Sequence, residues 1–348
     1  MKNYLLKKIV IVIAASGLFS LAVFAQTGTT GQSFQKAGST GSQFLKIGVG
    51  ARAMAMGGAF GGLSNDITAL YYNPAGIAKL EGTNLGVEYN SWFADLKHSY
   101  AALSFPLMSD YTFGLSLVLL DAGSIEMTTI EQPEGTGSTY SVSDLAVGFT
   151  LAGRITDQFS FGLTLKYIEN TIHDLTARNF AFDAGTIYEG AIKGLRIGFS
   201  MTNLGGEASF EGQSLSVLVY NQSELEAGIN RRPLDAQLNN TPFSIPLAFR
   251  AGVSYNLFAN SEDQSLIVAG DFIHLNDNPE KFNVGTEYVW NNLVAIRGGY
   301  QFRYNELGLT LGGGINFDTE SFKGSFDYAY ADLGILGSAN RIGVRLRF

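Results

Sequence analysis

The feature that most constrains this chain is a period-two alternation of apolar and polar residues, repeated along most of its length. In QFSFGLTLKYIE, Phe159, Phe161, Leu163, Leu165 and Tyr167 share one parity, while Gln158, Ser160, Gly162, Thr164 and Lys166 share the other. Side chains on a strand point to opposite faces in turn, so each such stretch has one apolar and one polar face. The same split recurs from TNLGVEYNSW near residue 83 to NRIGVRLRF at the C-terminus. It makes 14 segments, each roughly ten residues long, the length that carries a tilted strand across a bilayer. A soluble sandwich of two sheets also alternates. Here the polar face is rich in Gly, Ser, Thr and charges, and aromatics gather near strand ends, as on a lumen wall with interfacial girdles. The last segment sets Ile342, Val344, Leu346 and Phe348 against Arg341, Arg345 and Arg347. Three arginines facing lipid would be costly, so they face inward. The pattern predicts an all-β membrane protein, a 14-stranded antiparallel transmembrane β-barrel over residues 83–348, closing on Phe348 as an assembly signal.

The rest of the composition fits export to an outer membrane. Lys2, Lys7 and Lys8, an apolar run and Val23-Phe24-Ala25 read as a signal peptide over residues 1–25, cut after Ala25. There is no Cys, which removes both a lipoprotein anchor and disulfides. The net charge is −8, or −11 once the three lysines of the leader are gone, a balance that excludes nucleic acid as a partner. With the N-terminus periplasmic, the two long connections, about residues 122–141 and 203–243, fall outside, and short ones such as RITD, WNN and DTE fall inside. Long outside and short inside is the asymmetry of bacterial outer-membrane barrels. The expected location is thus the outer membrane of a Gram-negative bacterium, with lipid as the surroundings.

Between leader and barrel lie two segments of different character. Residues 26–43 are polar and Gly-rich and read as a flexible segment. Residues 44–82 are rich in small residues and carry few charges, so they read as a plug filling the barrel. Within them NDITALYYNPAGIA reads as a short helix, capped by Ser64 or Asn65 and stopped near Asn73 by Pro74, with a Pro-set turn after it. GARAMAMGGAF followed by NDITALYYNPAGIA also resembles the N-terminal signature of the PorV/PorQ family, within the FadL-like group of outer-membrane barrels. Gly48, Arg52, Gly57, Gly58, Asn73, Pro74, Ala75 and Gly76 make up the plug motif. The resemblance implies a 14-stranded barrel with an N-terminal plug. It also implies a non-catalytic role in type IX secretion, binding secreted cargo or secretion-system proteins through external loops. The alternative within the wider group is a channel for long-chain fatty acids or other hydrophobic small molecules.

No chemical motif competes with these readings. GVGARA formally matches a dinucleotide-binding turn but lacks a βαβ unit, and close backbone packing explains its glycines. His98, His173 and His274 are far apart and have no neighbouring ligand at metal spacing. Nothing marks a nucleophile, so neither catalysis nor a cofactor nor a metal is expected. The inward charges have two readings. One is a mixed-charge wall, paired internally and with the plug. The other is an anion site around Arg297, Arg303, Arg341 and Arg345. LGGGI places Gly312, Gly313 and Gly314 in one strand, a candidate bulge, plug contact or wall opening. SLSVLVY, centred on Val217, Leu218 and Val219, is an apolar run in the longest loop, either docking a partner by strand addition or folding over the mouth.

Overall fold

The computed structural model describes residues 38–219 and 234–348. The expected leader and residues 26–37 lie outside the described residues. Seven strands precede the long loop: β1 (Asn84–Ser91), β2 (Lys97–Met108), β3 (Tyr111–Glu126), β4 (Thr139–Arg154), β5 (Phe159–Ile172), β6 (Leu175–Glu189) and β7 (Leu195–Gly205). Seven follow it: β8 (Ala248–Asn256), β9 (Gln264–Leu275), β10 (Asn278–Trp290), β11 (Val294–Phe302), β12 (Leu309–Asp318), β13 (Lys323–Asp332) and β14 (Ser338–Arg347). Each pairs antiparallel with its neighbours, and β1 pairs with β14 from Asn84↔Arg347 to Ser91↔Asn340, which closes the barrel. Thr83 and Phe348 exchange backbone hydrogen bonds at the seam, 3.1 and 2.9 Å. The parity read from the sequence is the parity of the wall. Leu163, Phe180 and Ile296 point outward, 57, 61 and 64 % exposed, whereas their neighbours Thr164, Ala181 and Arg297 are buried. Exposed apolar side chains all round a closed sheet are a lipid face.

A barrel this wide cannot be filled by wall side chains alone, which suffice only for about eight strands. Residues 44–82 fill the remainder. Phe44, Met56, Phe60, Leu70 and Ile77 are each at most 2 % exposed. Two short helices punctuate the plug, α1 (Ala51–Ala55) and α2 (Ala69–Tyr72), with a tight 3-10 turn over Pro74–Lys79. Helix α2 begins later than expected: Thr68, not Ser64 or Asn65, occupies the cap position. Ser64 instead donates to the Phe60 carbonyl, and the Asp66 carboxylate accepts from the Thr68 amide at 2.9 Å. The stop at Asn73 is extended, φ −159° and ψ 103°, the conformation that a following proline imposes. Helix α1 has no counterpart in the sequence reading.

The flexible segment is corrected at its C-terminal end. Residues 38–43 are tied to the loop-rich end of the barrel, where Thr40 forms a parallel bridge with Ser244 and Gly41 donates to the Ser244 carbonyl at 2.9 Å. The chain therefore enters the lumen from that mouth and runs down to β1 at the other end. In the longest loop, Ser216–Val219 pairs with Leu234–Gln237, and Glu207–Ala208 pairs with Phe243–Ser244.

Candidate functional site

Six charged side chains join plug to wall in a closed ring of alternating sign. Arg52 of α1 grips Glu287 of β10 with two bonds of 2.7 Å. Glu287 also accepts from Arg297 of β11 at 2.6 Å, and Arg297 reaches Asp327 of β13 at 2.6 Å. Asp327 accepts from Arg345 of β14 at 2.6 Å, Arg345 pairs with Asp66 of the plug, and Asp66 returns to Arg52 at 2.9 Å. Three guanidiniums meet three carboxylates, so the ring is neutral, and planar forks satisfy several oxygens at once. Burying such charges costs several kcal/mol per ion unless each is paired, and here each has two partners.

A second contact lies across the lumen. The Asn73 amide donates to the carbonyls of Gly61 and Thr186, both at 3.1 Å, and its oxygen accepts from Ala75 N at 3.2 Å. The wall makes room for it: a Cβ at Gly162 would strike Pro74, at Gly185 the Asn73 side chain, and at Gly198 the Gly61 carbonyl. Glycine therefore lines β5, β6 and β7 where the Asn-Pro-Ala turn touches them. The other motif residues are spread through the plug. Gly48 packs on the Tyr72 hydroxyl and Gly76 on Ser64 and Ala69. Gly57 and Gly58 have φ of +66° and +73°, and a side chain at Gly57 would meet the β10 and β11 backbones.

The expected anion site is not a single cluster. Arg297 and Arg345 are neutralised within the ring. Arg303 falls in the turn after β11, exposed and with φ +64°. Only Arg341 remains buried without a carboxylate at bridging distance among the described residues. The glycine triplet is no opening either. Ladders run unbroken through it on both sides, Arg297↔Gly312 and Ala295↔Gly314, Gly312↔Ala329 and Gly314↔Asp327. Its smallness serves packing: a Cβ at Gly312 would meet Ala55 of α1, and one at Gly314 would meet the Arg297–Asp327 pair. The mid-strand irregularity lies elsewhere, between β6 and β7, where Phe182↔Leu204 is followed by Ala184↔Met201. Asn203 there has φ +62°. Lys166 pairs with Asp183 at 2.7 Å and donates to Asn203 at 2.9 Å, and Asn203 donates to the Pro246 carbonyl. Pairing of β7 with β8 stops at Thr202↔Ala248, just below this bulge.

Two cavities flank the plug. One of about 520 Å3 opens toward the short-turn end, bounded by the ring residues and by Asn292, Asp318 and Lys323. The other, of about 220 Å3, lies toward the loop-rich end, between Tyr71 and Tyr72 of the plug and Trp92, Lys281, Tyr304 and Arg341 of the wall. Val217 is half-buried, and Leu218 and Val219 are exposed, in the loop hairpin above. His98 is buried, His173 sits in a hairpin at φ +58°, and His274 lies 3.5 Å from Glu280. Among the described residues no group of three or more His, Asp and Glu side chains is arranged to hold a metal.

The N-terminal segment is held at the mouth by Asp277, in the β9–β10 turn. It accepts from Thr40 and Lys46, both at 2.5 Å, and from Gln43 at 3.3 Å. Burial raises the Asp277 pKa, but the bonds from Lys46, Thr40, Asn278 and Gln43 outweigh it and hold the carboxyl at about 2. A depressed carboxyl stabilises the fold above its unfolded value and loses that contribution as pH falls through the folded one. Pepsin is therefore expected to release residues 38–46 at pH 2 but not at pH 5. Asp277→Asn should expose Lys46 to trypsin at pH 7; equal resistance of variant and parent would show that the contact holds nothing.

A family model described as an uncharacterised protein family, UPF0164, matches residues 18–171. No curated protein sequence matches the chain. Among solved structures, the toluene transporter TbuX of Ralstonia pickettii is 14 % identical, with 86 % of this chain and 98 % of that one covered and a TM-score of 0.56. The toluene transporter TodX of Pseudomonas putida is 15 % identical over 86 % and 97 %, TM-score 0.54. The CymD monoaromatic hydrocarbon channel is 14 % identical over 86 % and 96 %, TM-score 0.55. Identities this low speak for the fold alone. That fold is a plugged 14-stranded barrel, while the FadL-like and PorV/PorQ resemblance rests on the N-terminal signature.

Proposed function

We propose that the protein is an outer-membrane channel for small hydrophobic molecules, the FadL-like alternative, and not a cargo-binding component of type IX secretion. The observation that carries this reading is the aromatic-lined chamber between plug and wall toward the loop-rich end, in a barrel with the fold of hydrocarbon channels. A plug tied to the wall on two sides argues against free diffusion of polar solutes. The side exit in this reading is the bulge at Asp183 and Asn203, where the β7–β8 ladder stops at Thr202↔Ala248 and the Asn203 bond to the Pro246 carbonyl bridges the gap. A greasy solute leaving there enters lipid directly and never crosses the ionic ring. Catalysis has no place in this reading.

A strain lacking the protein tests it when assayed both for toluene uptake and for its secreted proteins. Uptake is expected to fall with the secretome unchanged; a depleted secretome with normal uptake would return the function to secretion. The exposed hairpin bearing Leu218 and Val219 would then be the docking edge. Orientation has its own test. Ser39→Cys is expected to react with a membrane-impermeant maleimide on intact cells, since the exposed Ser39 stands at the loop-rich mouth. Labelling only after the outer membrane is broken would reverse the barrel.

A further inference from the structure

Four cations border the outer chamber, Lys46, Arg250, Lys281 and Arg341, and no carboxylate does. Two of them are spoken for. Lys46 is paired with Asp277, and Arg250 with Asp271 at 2.8 Å, whose oxygen also accepts from the Phe60 and Gly61 amides. The other two have no acid at bridging distance among the described residues. Lys281 rests its ammonium 4.1 Å from the centre of the Tyr304 ring. Arg341 is only 2 % exposed, makes a single long bond of 3.4 Å to the Gly50 carbonyl, and leaves its Nε without a partner. The nearest acid on its flank, Glu88, is occupied by the Ala51 amide at 2.9 Å. Asn283 Oδ1 and Gln301 Oε1, bordering the same chamber, are buried acceptors and take no part in holding an anion.

A buried guanidinium without a counter-charge is among the costliest groups a protein can hold. Its presence beside a cavity, with a second cation that has no acid at bridging distance, is the arrangement of a site awaiting an anion. The remaining surface is not polar. Met54, Tyr71, Tyr72, Trp92, Tyr304 and Leu307 offer apolar and aromatic faces. The volume, about 220 Å3, is below the roughly 300–1,000 Å3 of drug-sized sites. That size suits one ring with a short acidic side chain.

We propose that the outer chamber binds an aromatic carboxylate, its anion on Arg341 and Lys281 and its ring among Tyr71, Tyr72 and Trp92. This deepens the channel reading and rests on it for the ligand's route. A neutral hydrocarbon would leave both cations unmet, so the chamber discriminates by charge as well as by shape.

Phenylacetate and toluene are suitable probes, titrated into the full-length barrel in neutral maltoside micelles. Trp92 fluorescence reports binding in a Trp290→Phe background, as the chain has only these two tryptophans. Phenylacetate is expected to bind saturably, and Arg341→Gln and Lys281→Gln are each expected to weaken it at least about tenfold, with toluene changed less than about threefold. Heat-modifiable mobility verifies folding; if Arg341→Gln does not assemble, Lys281→Gln on the chamber's half-buried rim carries the test. Phenylacetate binding unchanged in the folded variants would overturn the proposal. So would saturable toluene binding without phenylacetate binding, and that result would leave the channel reading standing. Cation-dependent phenylacetate binding together with normal toluene and phenylacetate uptake in the deletion strain would support the site while removing the channel reading.

Discussion

Glu287→Ala should destabilise the protein by about 3–5 kcal/mol, the cost of breaking a buried ion pair by removing one partner. Glu287 is the only ring carboxylate that joins Arg52 of the plug to Arg297 of the wall, and it is 2 % exposed. Its loss leaves two guanidiniums each short of a partner, and water reaches them only from the lower cavity. The change is expected in urea unfolding of the barrel followed by gel mobility, and as increased protease access to the plug. A double change, Glu287→Gln with Arg297→Gln, leaves a neutral chain of Arg52, Asp66, Arg345 and Asp327. It should cost less than the two single changes together, with coupling on the order of 1–3 kcal/mol. Additive single effects would mean that the six side chains do not act as a ring.

The ring also marks where sequence reading stops. Strand number, wall parity and the long loops were legible because a membrane barrel imposes one face of lipid on every strand, and local alternation records it. A filled lumen was legible from the small residues of the plug. Which inward charges meet was not: Arg52 and Glu287 lie 235 residues apart, and Arg345 and Asp66 lie 279 apart. Parity places both members of a pair in the lumen but gives no height along the barrel axis, and that height decides pairing. For the same reason the four arginines looked like one group when they belong to three environments: the ring, a turn and the outer chamber. Helix α1 was missed because five residues hold too little periodicity. The anchoring of residues 38–46 was missed because composition cannot separate a free polar tail from one whose hydroxyls and amides meet Ser244 and Asp277. The bulge at Asn203 left one trace: an Asn, a residue tolerant of positive φ, beside inward Asp183 and Lys166.

The contacts divide the plug's attachment into two kinds. Buried ionic pairs hold it on the β10–β14 side, while on the β5–β7 side the wall yields space through glycine and Asn73 bonds to strand backbone, with the Lys79–Glu189 pair at the strand end. The second kind responds to size and not to charge.

Gly198→Leu should therefore unseat the plug while leaving the barrel intact. Leucine suits a strand, and Gly198 stays within regular pairing to Gly252 and Ile187. On the inner face the new side chain has no flexible neighbour to push aside: its Cβ would run into the Gly61 carbonyl and lie 2.9 Å from the Asn73 amide. Overpacking a filled site costs about 1–3 kcal/mol, and the displaced Asn73 forfeits its bonds to Gly61, Thr186 and Phe199, worth about 0.5–1.5 kcal/mol each. The plug should loosen from β5–β7 while the ionic ring and the Asp271, Glu88 and Thr310 bonds to its backbone keep it attached on the other side. In planar bilayers the parent is expected to be nearly closed to ions, and the variant to show stepwise conductance of at least about tenfold the parent's. Gly298→Leu on the outer face of β11 is the control, because its nearest neighbour is the flexible Leu311 side chain at 3.6 Å and it should leave conductance at the parent level. Normal heat-modifiable mobility in both variants separates plug movement from misassembly. If Gly198→Leu assembles and stays closed, the plug's other wall contacts suffice and the Asn-Pro-Ala contact is not needed.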